Sequence, residues 1–203
     1  MLNILNNSED LIIVLHEIYG VNRFIKDVAA FYASVGFDIV CPDLCGLGHP
    51  YDYSDQDAAY RNFSENVGFK KSAEIVARIS RPLRRSYKHI FLLGFSIGAS
   101  TAWLCSKEKG LFDGVICCYG SRIRDYLDIT PACPVLLIFP SEEKSFNIKR
   151  VVGNIKMTNV MVHVLDGCHG FADPYSANYS KISAKEAFDL AGNFLNDIKS
   201  GKV

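Results

Sequence analysis

Five short runs of almost uninterrupted apolar residues punctuate the chain: Leu11 to Leu15, Phe37 to Cys41, Ile90 to Leu93, Val115 to Tyr119 and Val135 to Phe139. A sixth, Val160 to Val164, ends at the polar turn Asp166-Gly167. Runs of this length with no polar alternation are expected of strands covered on both faces. The stretches between them are long enough for helices. The clearest helical pattern is C-terminal, where Ala187, Phe188, Ala191, Phe194, Leu195 and Ile198 recur at spacings of three and four and form an apolar stripe. Such alternation predicts an α/β protein with a doubly wound, mainly parallel sheet of about six strands and helices on both faces. Residues Gly46 to Ser64 carry Gly, Asp, Tyr and Ser without apolar periodicity and are expected to form an excursion over a sheet edge.

Length fits this reading. A chain of 203 residues has room for one domain, spanning 1–203, and neither repeats nor a Pro/Gly/Ser-rich linker divide it. Lys and Arg total 22, as do Asp and Glu, so no long-range field favours a nucleic acid or an anionic membrane surface. The basic group Arg81, Arg84, Arg85 and Lys88 falls where a helix should end and is read as a solvated helix terminus. No apolar run is long enough to cross a bilayer, and no export signal is evident. Seven cysteines, with Cys117 and Cys118 adjacent inside an apolar run, suit free buried thiols in a reducing, cytoplasmic compartment. Cys41, Cys45 and His49 have partial metal-ligand spacing but fall short of a four-ligand set, so neither metal nor other cofactor is expected.

The chemistry concentrates at two places. Gly94-Phe95-Ser96-Ile97-Gly98 follows the Ile90 strand and precedes a helix-forming stretch, the setting of a nucleophile elbow. A sharp strand-to-helix turn brings backbone segments so close that positions two residues either side of the nucleophile tolerate only glycine. The turn sets Ser96 near a helix N-terminus and makes the Ile97 amide one candidate oxyanion donor. A serine nucleophile needs a base later in the chain. His169, in Asp166-Gly167-Cys168-His169-Gly170-Phe171, has the order and the loop setting; His163 lies inside an apolar run, and His16, His49 and His89 precede Ser96. The acid belongs after the Val135 strand, in Ser141-Glu142-Glu143-Lys144, with Glu143 preferred and Glu142 the alternative. The same pair of glutamates also suits the first turn of a helix.

His16-Glu17-Ile18-Tyr19-Gly20-Val21-Asn22, Cys41-Pro42-Asp43-Leu44, the elbow and His169-Gly170-Phe171 together resemble the dienelactone hydrolase family over nearly the whole chain. The resemblance implies an α/β-hydrolase fold without a large lid, Glu17 at the edge of the active site and the Ile18 amide as the second oxyanion donor. Glu17 could instead cap the helix that Val21 begins. Three features depart from the family pattern. Serine stands at the elbow where well-known members have cysteine, and glutamate stands where they have an aspartate. Asp173 and, by a looser alignment, Gln56 occupy positions where arginines clamp a substrate carboxylate. The expected activity is therefore hydrolysis of a small neutral ester, thioester or lactone. Acyl transfer to another acceptor, and a non-catalytic domain that binds a ligand or partner, are the alternatives.

Overall fold

The computed structural model describes residues 1–46 and 48–203. Its centre is a seven-stranded sheet in the order β1-β3-β2-β4-β5-β6-β7, formed by β1 Leu2–Ile4, β2 Asp10–Leu15, β3 Asp38–Cys41, β4 His89–Phe95, β5 Gly114–Cys118, β6 Val135–Glu142 and β7 Val160–Cys168. All neighbours pair in parallel except β1, which runs antiparallel to β3. The six apolar runs all become strands. The expected count of about six misses β1, a three-residue edge strand whose Leu-Asn-Ile is too short to show a pattern.

Helices cover both faces: α1 Arg23–Ser34, α2 Gln56–Asn62, α3 Gly68–Leu83, α4 Ile97–Cys105, α5 Ile148–Asn154 and α6 Lys181–Lys199. The strands alternate between two cores. Ile12 and Val14 of β2 pack with α1 and α6, whereas Leu11, Ile13 and Leu15 pack with α3, α4 and α5. That split is the period-two geometry of a strand buried on both faces, and it explains why the runs contain no polar alternation. The C-terminal stripe behaves as expected, with Ala187, Ala191, Phe194 and Leu195 buried on the first face.

The excursion after Gly46 is less irregular than its composition suggests. It contains a 3₁₀ turn at Tyr53–Asp55, helix α2 and a π-helical turn at Phe63–Val67. Among its described residues only Ala59 and Phe63 are buried, so no apolar stripe announced these turns. In the basic group after α3, Arg84 reaches the Asp113 carboxylate at 2.5 Å and donates to the Tyr87 and Lys88 carbonyls, a local staple. All seven cysteines are free, six of them buried. Among the described residues no helix is long and apolar enough to cross a membrane.

Candidate active site

Strand order and register assemble the site. β2 lies between β3 and β4, so the connections leave in opposite directions and open a crevice where the β2 and β4 C-termini meet. Leu15 pairs with Gly94, which sets His16 and Glu17 beside the residues that follow β4. Phe95 pairs with Cys118, which brings Tyr119 alongside Ser96, and the Ser96 amide donates to the Cys118 carbonyl at 3.0 Å. On the far side Glu142 pairs with Cys168, which brings Glu143 level with His169.

Ser96 sits between β4 and α4 at φ 53°, ψ −111°, a conformation costly for any side-chain-bearing residue. The elbow glycines have a direct steric cause. A Cβ on Gly94 would lie 2.3 Å from the Gly98 carbonyl oxygen, and one on Gly98 would lie 2.2 Å from that of Leu15. The turn holds the Ser96 Oγ 2.8 Å from His169 Nε2, and His169 Nδ1 lies 2.8 Å from Glu143 Oε2. Because a carboxylate only accepts, the Nδ1 nitrogen carries the proton and Nε2 is free to accept from the serine. Glu143 is 8% exposed in its side chain, and Ser145 donates to its other oxygen at 3.2 Å. Burial raises the Glu143 pKa, but the hydrogen bond and charge of His169 outweigh it, so the net shift is downward and the carboxylate form is held.

Glu142 is exposed, and its carboxylate meets the Cys168 thiol at 3.6 Å. The structure sets Glu143, the preferred candidate, and not the alternative Glu142, against the imidazole. Between Pro140 and Glu142 the ladder is irregular, with two residue steps on β6 opposite three on β7, from Leu165 to Cys168. That bulge decides which carboxylate meets the imidazole. Burial and the Glu142 charge raise the pKa of the Cys168 thiol, which works against a reactive thiolate beside His169.

The loop after β2 is pinned by His16, which is fully buried. The Leu44 amide donates to its Nε2 at 2.8 Å, so Nδ1 bears the proton and donates to the Glu17 carbonyl at 2.5 Å. Burial keeps this imidazole neutral. Glu17 does not cap α1; that helix begins at Arg23, and Asn22 Oδ1 accepts from the Ile25 amide at 3.1 Å. Glu17 is instead buried beside the site, and desolvation, with the nearby Asp173 charge, raises its pKa to about 7. Among the described residues the Ile18 amide has no hydrogen-bond acceptor, and the Ile97 amide opens α4, where a helix leaves its donors free.

Sequence reasoning overlooked three contributors. Tyr53 donates to Asp173 and accepts from Asn22 Nδ2 at 2.9 Å, which ties the excursion to the histidine loop. Tyr19 packs on Tyr53 with ring centroids 4.7 Å apart and planes tilted by 49°. Tyr119 was read as the end of a strand; β5 stops at Cys118, and Tyr119 turns out of it at φ 44° with its ring 5.2 Å from that of His169. A tyrosine following an apolar strand carries no local signal of that turn. Among the described residues no cluster of His, Cys, Asp or Glu has the arrangement of a metal site.

The family model of the dienelactone hydrolases matches residues 4–199. An uncharacterised Bacillus subtilis (strain 168) protein, YczH, is 37% identical over 174 residues, covering 84% of this chain and 85% of that protein. The carboxymethylenebutenolidase of Pseudomonas putida is 26% identical over 210 residues, covering 95% and 87%. Among solved structures, a dienelactone hydrolase-like promiscuous phosphotriesterase from metagenomic libraries superposes with a TM-score of 0.75 at 15% identity, over 94% of this chain and 87% of that one. Est1E from Butyrivibrio proteoclasticus with bound ferulic acid gives 0.69 at 14% identity, over 95% and 91%. The fold is that of the α/β-hydrolases, and the chain belongs to the dienelactone hydrolase family of carboxylic ester hydrolases.

Proposed function

We propose that this chain is a serine hydrolase of small neutral carboxylic esters, thioesters or lactones, acting through an acyl-enzyme on Ser96. One observation carries the proposal: the continuous line from Ser96 Oγ to His169 Nε2 and from His169 Nδ1 to Glu143, each contact 2.8 Å, on a serine held at positive φ. His169 takes the hydroxyl proton as Oγ attacks the carbonyl carbon. The Ile97 and Ile18 amides hold the oxyanion, and the imidazolium, stabilised by Glu143, returns its proton to the leaving oxygen or sulfur as that bond breaks. Water, deprotonated by His169, then attacks the acyl-enzyme; the bond from Ser96 Oγ to the acyl carbon breaks, Oγ takes the proton back from His169, and the acid leaves. An alkoxide precursor with so high a pKa depends on its base far more than a thiol does.

The restriction to uncharged substrates follows from the carboxyl groups around the crevice. Glu17 and Asp173 are both buried there, and each feels negative charge from a neighbour. An anionic substrate would meet repulsion with no arginine at position 56 or 173 to offset it. The whole chain acts as one unit in this reading, and its free buried thiols fit a reducing, cytoplasmic setting.

A fluorophosphonate probe, with the modified residue mapped by mass spectrometry, tests the assignment. Labelling of Ser96 in native but not heat-unfolded protein is expected, together with loss of ester turnover in Ser96→Ala. Native protein that resists the probe and hydrolyses no ester would favour a binding role for the fold instead.

A further inference from the structure

Tyr119 joins three observations that the proposed chemistry does not use. Its backbone is at φ 44°, rare for a bulky residue and costly unless its surroundings require it. Its ring is fully buried and stands edge-on to His169, with centroids 5.2 Å apart and planes at 60°. The same ring packs against Phe171 at 5.3 Å and against Phe95, the residue before the nucleophile, at 6.0 Å. Its hydroxyl is buried without a hydrogen-bond partner of standard geometry among the described residues, although the Glu17 carboxyl group is its polar neighbour. A phenylalanine would fill the same space without stranding a polar atom, so the hydroxyl calls for a partner of its own.

We propose that Tyr119 is a positioning residue of the Ser96–His169 pair, its ring holding the plane of the imidazole and its hydroxyl holding the Glu17 carboxyl group. The inference rests on the reading of Ser96 and His169 as the reacting pair. His169 is only partly buried and its imidazole is tethered by Glu143 at one nitrogen, so rotation about that tether is limited by what lies against the ring faces and edges. Tyr119 supplies that wall from β5 while Phe171 supports it from behind. The left-handed turn at Tyr119 is what swings the ring out of the sheet plane toward the histidine loop. At the other end of the side chain, the phenol donates to the ionised Glu17 carboxylate and so favours that form. Asp173, His169 and Tyr119 are the groups that act on the Glu17 carboxyl, and among the hydroxyls of this region Tyr53 is committed to Asp173 and Tyr19 to Gln56 at 3.4 Å, which leaves that of Tyr119 unengaged.

The two contacts separate by substitution. Tyr119→Phe keeps the ring and removes the hydroxyl; Tyr119→Leu removes both. In Tyr119→Leu, kcat for an activated ester should fall about 10²-fold with KM little changed, since a misplaced base costs rate and not binding. Tyr119→Phe should restore kcat to within about threefold of the parent, as ring packing is retained. Carbon-13 NMR of the Glu17 side-chain carboxyl should show its titration midpoint moved to higher pH in Tyr119→Phe, because a donor to the ionised form is lost. A Leu variant, folded by its thermal transition, that keeps kcat within twofold would overturn the role of the ring; an unmoved Glu17 midpoint in the Phe variant would overturn the role of the hydroxyl. If the Leu variant does not fold, the Phe variant and the carboxyl titration still decide the hydroxyl contact. The NMR readout needs no turnover, so it reports on Tyr119 even if native protein proves inert toward esters.

Discussion

Replacing Glu143 by glutamine changes one atom and one charge at the far end of the Ser96–His169 line. The carboxylate accepts from His169 Nδ1 at 2.8 Å and its side chain is 8% exposed. When His169 takes the serine proton, the imidazolium and carboxylate charge centres are about 4 Å apart, worth about 4 kcal/mol at an effective dielectric of about 20. The imidazole is one-third exposed, so solvent screening trims this to about 3 kcal/mol. At 1.36 kcal/mol per decade, kcat should drop about 10²-fold, and further where the new amide turns its NH₂ toward Nδ1 and forces the proton onto Nε2. KM should stay nearly constant because the Glu143 carboxylate engages His169 Nδ1 and Ser145, and acts on the reacting serine only through the imidazole. Glu142→Gln is the internal control: exposed and touching only the Cys168 thiol, it should leave kcat within about twofold, as surface substitutions do. Steady-state hydrolysis of an activated acetate ester by the two variants, each confirmed folded by thermal unfolding, decides the matter. A Glu143→Gln enzyme within tenfold of the parent, or an equal loss in Glu142→Gln, would refute the assignment of the acid.

Three further outcomes are expected. The Glu17 carboxyl, raised from 4.5 to about 7 by burial, keeps its proton in the folded state while the unfolded chain has lost it; its favourable contribution is complete below pH 4.5 and vanishes as pH rises through 7, so Glu17→Gln should gain about 3 kcal/mol over the parent at pH 8 and far less at pH 4, read by urea unfolding at both. Gly98→Ala should cost about 3 kcal/mol or more, because its Cβ would lie 2.2 Å from the Leu15 carbonyl oxygen at the C-terminal end of β2; a melting temperature unchanged from the parent would contradict the close crossing of α4 over β2. Asn22→Ala removes the α1 cap and the donor to Tyr53, and should lower stability by about 1 kcal/mol, or roughly 2–4 °C in Tm; calorimetry checks it.

What could be read in the chain and what could not divide along physical lines. The central strands were legible because burial on both faces leaves them nearly free of polar residues, a local signature that needs no partner to interpret, and the edge strand β7 by its apolar run although Met161 and Val164 are exposed. The elbow was legible because Gly94 answers a clash with Gly98 inside the turn itself, although Gly98 answers one with the distant Leu15 carbonyl of β2; His169 was legible because it follows Ser96 in a loop after a late strand. β1 escaped notice since three residues gain their strand conformation only by pairing with β3. The helix α2 escaped because it buries one alanine and is held by what surrounds it. Glu142 and Glu143 are neighbours of identical type; the bulge opposite Pro140 and Glu142, a property of the β6–β7 pairing, separates them. Tyr119, Tyr53 and Asp173 reach the site from three distant segments, and the contacts that unite them exist only after the sheet has closed. Local periodicity and steric necessity thus determined the strands and the nucleophile turn, whereas every pairing between residues far apart in the chain was decided by register, because register alone sets which side chains come within reach.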